Sequence, residues 1–225
     1  MKGSTEAQGL TTFFNGIFDG QNHTIKNLNN KGFVPTKARL VKDEFKDKNN
    51  NPFTVDTYAY GLFALVKGAT IKNVNVEIDF DQARYQDAKA DSVGGAVGYA
   101  IQGVTLENIK VSGKIAAQDC ASGIIGRISL ESYTASIKDC TNNANITSEV
   151  VASGIARVYV PSAGHSLTLT NNTNNGNVVT LGSQGYYGGI AVYNQGITNY
   201  TFNNNINKGQ SVTTTVLSGG NIRLD

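Results

Sequence analysis

The chain has 225 residues, enough for one elongated repeat domain or two small globular ones, with a core of real size. Only 16% of residues are charged while Asn, Thr and Gly are plentiful, a balance that disfavours a helical bundle and suits short strands joined by tight turns. A net charge of +2 is too small to attract nucleic acid or a membrane surface by field alone, and no apolar run approaches the ~20 residues of a membrane-spanning helix.

In chain order, residues 1–13 read as a lead-in that caps the first coil, and Met1 to Gly9 contain no apolar signal core. The stretch from Phe14 to Leu28 follows, with Gly16 and Gly20 as turn residues. Its second half, Thr24-Ile25-Lys26-Asn27-Leu28, returns in blurred form. The copies begin at Thr70, Thr105, Ser136, Thr168 and Thr201. Residues 29–57 interrupt the series and read as a projecting insertion with its own short hairpin. Six basic residues lie between Lys31 and Lys48, but Asp43, Glu44 and Asp47 interleave with them. That pattern describes a solvated segment better than an anion-binding loop.

From Tyr58 onward a second marker appears. Gly61-Leu62-Phe63 recurs from Gly95, Gly123, Gly154 and Gly189, at intervals of 34, 28, 31 and 35 residues. A period near 30 signals units that bury their apolar faces only against their neighbours. Residues 206–225 read as the C-terminal end of the stack. The whole chain, 1–225, reads as one domain.

Between markers the alternation is of period two. Ile71, Asn73, Asn75 and Glu77 fall on one side, and Val74, Val76 and Ile78 on the other. A phase change at Asn108 marks a bend between strands. Helical and leucine-rich repeats lack support, which leaves an all-β fold: a parallel β-helix, or solenoid, of about six coils. Asn27, Asn73, Asn108, Asp139, Asn171 and Asn204 share one register. Asn tolerates left-handed backbone, and its amide bonds the amides above and below, so this column reads as a structural ladder. Cys140 takes the position of Leu28, Val74 and Ile109 and should point inward as a free thiol. A disulfide is the alternative if Cys120 lies beside it.

These residues resemble the GLUG-motif repeats of bacterial surface proteins, including IgA-peptidase-like and adhesin-like regions. The resemblance rests on Phe14, Gly16, Phe18, Asp19, Gly20, His23 and Ile25 in the opening motif. It is continued by Gly94-Gly95-Ala96-Val97-Gly98 and Ser122-Gly123-Ile124-Ile125-Gly126. It implies a right-handed parallel β-helix with an architectural role. The last two coils depart from the pattern: Arg157 and Val192 replace the final Gly, and Asn171-Asn172 and Asn203-Asn204-Asn205 replace an apolar position. Those coils are expected to pack less tightly or to face a cap.

Candidates for chemistry are few. His23 could order its turn through Asp19, and His165 lies in a loop without an acidic neighbour. Glu77, Asp79 and Asp81, with Arg84 nearby, alternate on one strand face and could bind calcium or a sugar, though a solvated outer face is the simpler reading. Tyr58, Tyr60, Tyr186, Tyr187, Tyr193 and Tyr200 could stack on sugars or pack the stack ends. Tyr58 and Tyr186 are assigned one register, which Ser92, Cys120 and Val151 interrupt. No catalytic, cofactor-binding or metal residue is assigned, and no cofactor is expected. The expected role is a non-catalytic module of a bacterial cell-surface or secreted protein: adhesin, spacer or interaction scaffold. Its partner would be a protein or glycan at a surface, with oligomers possible, and without nucleic acid or membrane insertion. The alternatives are a virion appendage and a polysaccharide-binding module, lyase or hydrolase.

Overall fold

A computed structural model describes residues 13–31, 38–40, 55–83, 90–129, 134–159, 166–182, 185–194, 199–213 and 221–224. Among them every regular element is a strand, and the strands of successive coils stack in parallel on three faces. The architecture is a parallel β-solenoid.

The long face carries six rungs. They are Ile17–Asn29; residues 70–81 of the strand Phe63–Asp81; residues 104–117 of the strand Val97–Ala117; Thr134–Lys138 with Thr141–Ser148; Ser166–Thr170 with Thr173–Asn174 and Val178–Thr180; and Asn199–Asn203 with Ile206–Asn207 and Ser211–Thr213. The second face stacks residues 63–67, residues 97–101, Ile125–Ser129, Ala156–Tyr159 and Ala191–Asn194. The third stacks Ala59–Tyr60, Ser92–Gly94, Cys120–Ser122, Val151–Ser153 and Tyr186–Gly188.

Five rungs on the third face bracket about four complete turns, fewer than the six coils expected from the repeats. The reason lies at the start of the chain. Phe14 enters on the second face, with its N–H bonded to Leu65 O at 3.0 Å and its carbonyl accepting from Lys67 N–H at 2.9 Å. The first coil therefore contributes to two faces only among the described residues.

At the other end Asn221–Leu224 pairs antiparallel with Ala191–Asn194. Within the insertion, Ala38–Leu40 and Val55–Thr57 form an antiparallel pair separate from the larger sheets. Lys37, Lys42, Lys46, Lys48, Arg84, His165 and most of the lead-in lie outside the described residues.

The interior is built from columns. Ile71, Leu106, Ile137 and Leu169 pair in sequence, and each is fully buried. Each such side chain contributes about 1.5–3 kcal/mol relative to exposure. Ile71 thus faces the core and not the outer side with Asn73. The left-handed residue at Asn73, φ 53°, reverses the alternation between the two strand segments.

The Gly of the second marker stacks backbone on backbone. A Cβ at Gly123 would overlap Gly154 O and the Asn142 amide, and one at Gly154 would overlap Gly189 O. Bare backbone at this corner lets the side chain from across the coil reach it. Between Ala156 and Val158 the pairing with the preceding coil slips by one residue, so this coil is one residue shorter there than the coil that carries Gly126 and Arg127, and Arg157 pairs with Val192 in the next.

Candidate functional site

The outward surface of the long face carries a ladder of bonded polar side chains. Its organising feature is the bend column. Asn73, Asn108, Asp139, Asn171 and Asn204 all hold left-handed backbone, with φ from 50° to 57°. Asn108 donates to Asn73 Oδ1 at 2.9 Å, Asn171 to Asp139 Oδ1 at 3.0 Å, and Asn204 to Asn171 Oδ1 at 3.3 Å. In each bond the later coil donates to the earlier one. Asp139, as a carboxylate, has no N–H to give Asn108, so the ladder runs in two segments.

Asn27 stands apart from this column. Ile25 pairs with Val76 and Leu28 with Ile78, which places Asn27 at a bulge farther along the rung, with φ 60°. Phe18 and not Ile25 is the partner of Ile71. The column position is filled instead by a longer bend, where Gln21 and Asn22 are left-handed at 52° and 62°. Asn22 Oδ1 accepts from Asn108 at 3.1 Å, and Asp19 Oδ1 accepts from Asn73 at 3.1 Å. The Thr-Ile-Lys-Asn-Leu likeness of the first coil is therefore one of composition and not of register.

Asp19 anchors this bend. Its carboxyl is held below the ordinary value by the Gln21 N–H, the Asn73 amide and Lys72, whose Nζ lies at 3.5 Å. The turn is thus ordered by Gln21, Asn73 and Lys72 around Asp19, in the role foreseen for His23. His23 itself pairs with Val74 and is exposed at the open first rung.

Beside the bend a charged column runs Asp19, Lys72, Glu107, Lys138, with opposite signs on successive coils. Glu77 and Asp79 are exposed and Asp81 is half-buried, as expected of one strand face. Their neighbours in the next coil are Ser112, Lys114 and Ala116, and Lys114 Nζ sits 2.7 Å from Asp81 Oδ2. The acidic run is thus answered by a cation from the next rung. Among the described residues no group of three His, Cys, Asp or Glu is placed to hold a metal ion, and no helix is long and apolar enough to cross a membrane.

Two further amide columns lie inside the solenoid, and the sequence reading missed them. Val76, Val111, Asn142, Asn174 and Asn207 form one column; Val74, Ile109, Cys140, Asn172 and Asn205 form the other. Asn142 donates to Asn174 Oδ1 and Asn174 to Asn207 Oδ1, both at 2.8 Å. Asn172 donates to Asn205 Oδ1 at 3.0 Å and to Ile137 O at 2.9 Å. Asn142, Asn172 and Asn174 are fully buried. The interior of the fifth coil is closely packed, unlike the looser packing that is one of the two expectations for it; in the sixth, Tyr200 and Ile206 are exposed. The legible signal was the in-step recurrence of Thr141-Asn142-Asn143-Ala144-Asn145 as Thr173-Asn174-Asn175-Gly176-Asn177.

The cysteines are free, and both are buried on separate columns. Burial pushes the Cys140 thiol up to about 12 and the Cys120 thiol up to about 11, which leaves neither as a thiolate nucleophile at neutral pH. Burial likewise raises Asp119, with Arg127 and Arg157 acting against it. Ala59 and not Tyr58 shares the register of Ser92, Cys120, Val151 and Tyr186.

The tyrosines pack the ends. Tyr60 lies against Phe80 at 4.8 Å and donates to Asn29 O at 2.5 Å, while Tyr200 stacks on Phe202 at 5.0 Å with Tyr193 alongside. A shallow cleft of about 430 Å³ lies beside Tyr200, lined among the described residues by Ser166, Leu167, Thr168, Asn199 and Thr201. That lining offers hydroxyls, an amide and one ring. Comparison with protein-family models, with curated proteins and with solved structures returns no match in any of the three.

Proposed function

We propose that this chain is a non-catalytic β-solenoid module of a bacterial cell-surface or secreted protein, serving as a spacer or interaction scaffold that holds surface features at fixed separation. The observation that carries this reading is the coil-to-coil bonding. Backbone pairing on three faces, an outer amide ladder and two inner amide columns all join one coil to the next. Such a stack resists bending and stretching along its axis, because extension must break many bonds together. The outward carboxylates support the same reading, since Asp19 and Asp81 are paired with Lys72 and Lys114 of the following rung and not converged on one point. The likeness to GLUG repeats agrees with a surface location.

The test is single-molecule pulling between residues placed at the first and last rungs, run beside a turnover assay on neutral and acidic polysaccharides. The expected result is a high, cooperative unfolding force and no product. Release of unsaturated or reducing-end sugar would replace the scaffold reading with an enzyme. A stable trimer in size-exclusion chromatography with light scattering would favour a virion appendage.

A further inference from the structure

The sequence contains two Asn-Gly dipeptides, Asn15-Gly16 and Asn175-Gly176. Asn followed by Gly is the dipeptide most prone to lose its amide, because a glycine without a Cβ leaves its backbone nitrogen free to approach the preceding side chain. The two copies are both exposed but differ in how they are bonded. Asn15 is exposed between the bridge at Phe14 and the strand that starts at Ile17. A Cβ at Gly16 would meet nothing nearer than the Phe14 ring at 3.5 Å. Asn175 is exposed too, but it is tied into the ladder of the stack. Its amide donates to Asn143 Oδ1 at 2.8 Å, and its backbone N–H donates to Asn142 O at 2.8 Å. Gly176 accepts from Asn174 Nδ2 at 2.8 Å, and a Cβ there would overlap Ala144 O.

We infer that Asn15 is a site of spontaneous deamidation whose product loosens the first rung, while Asn175 is protected by the ladder. In the reaction the Gly16 backbone nitrogen, having lost its proton to solvent base, attacks Asn15 Cγ. The Cγ–Nδ2 bond breaks and ammonia leaves, forming a five-membered succinimide. Water then opens either carbonyl, giving Asp or isoaspartate at position 15; the net change is amide plus water to carboxylic acid plus ammonia. Isoaspartate carries the main chain through its β-carbon and so inserts one extra atom between Phe14 and Gly16. Those two residues make the bonds that join the entry segment to the second coil: Phe14 N–H to Leu65 O, Lys67 N–H to Phe14 O, and Thr70 N–H to Gly16 O at 3.0 Å. The lengthened backbone cannot keep all three in register.

The inference is independent of the scaffold role. The folded full chain is incubated in mildly alkaline buffer, and conversion is followed by peptide mapping and by enzymatic isoaspartate methylation. Asn15 is expected to convert at least about tenfold faster than Asn175 in the folded chain, a gap worth ~1.4 kcal/mol in barrier. In urea the two rates should converge. Amide exchange at Lys67 and Thr70 should rise in step with isoaspartate, and Asn15→Gln should abolish that rise. Equal rates at the two sites in the folded chain would overturn the inference, as would an unconverted Asn15 under conditions where the unfolded chain reacts. Unchanged exchange at Lys67 and Thr70 after conversion would overturn its structural half.

Discussion

At the column position where the third coil buries Val111, the fifth buries Asn174, and the same contrast separates Ile109 from Asn172. The backbone path is shared and the interior chemistry is not. In the earlier coils an apolar side chain fills the space opened by Gly95, where a Cβ would overlap Val111. In the later coils an amide fills the equivalent space beneath Gly154, 2.5 Å from where a Cβ would sit. A buried amide without partners would cost about 1–3 kcal/mol. Here the cost is removed because the repeat supplies another amide one rung away. Polar interiors are thus available to a solenoid in a way they are not to a layered globule: every coil can satisfy the next.

The largest predicted effect attacks the corner common to both regions. Gly154→Val should cost more than about 4 kcal/mol, because its side chain would strike both Gly189 O and Asn174. Chemical denaturation or the soluble yield of the variant would show it; near-normal stability would mean the corner opens easily. The next test addresses the contrast itself. Asn174→Val strands an amide hydrogen on Asn142 and a carbonyl lone pair on Asn207 and should cost about 2–3 kcal/mol; the triple replacement Asn142→Val, Asn174→Val and Asn207→Val removes those stranded amides but also the side-chain bonds to Ala144 N–H, Ala144 O and Gly176 O, so it should cost at least as much as the single variant. A triple variant within about 1 kcal/mol of the parent would show that the bonds from the amide column to the backbone add little.

Alkaline pH gives a smaller, graded effect. Cys140 is raised from 9.0 to about 12, Cys120 from 9.0 to about 11 and Tyr60 from 10.0 to about 12. A raised folded value means the neutral form is preferred in the native state. The stability tied to it is complete below pH 9 and is lost as pH climbs towards 12. Melting temperatures measured across that window should fall, and Cys140→Val should flatten part of the slope. The smallest effect is expected from Asp139→Asn, which restores a donor to the outer ladder and should gain ~0.5 kcal/mol at an exposed position, seen as a slight rise in Tm.

Much of the stack could be read from the repeats, because side-chain columns in a solenoid are written at near-constant spacing. The pairings Ile71 with Leu106, Ile137 and Leu169 follow directly from that spacing. The first coil departs from that spacing because Gln21 and Asn22 lengthen its bend, which carries the pentapeptide from Thr24 past the column and sets Phe18 beside Ile71. The inner amides are not legible residue by residue, because Asn lies mostly at protein surfaces. Only stacking turns Asn142 and Asn174 into partners, and that is a property of neighbouring coils rather than of any one segment. The outer surface was less legible still, since which charges meet depends on rung register: Lys114 answers Asp81 from 33 residues away.

The reversed strand Asn221–Leu224 has a consequence for growth. It covers the edge of Ala191–Asn194 with opposite polarity, so a further copy arriving in the stacking direction meets a strand running the wrong way for a parallel rung on that face. Continuing the parallel stack across that face would require evicting this strand, which makes the four residues a brake against extending the solenoid by stacked copies.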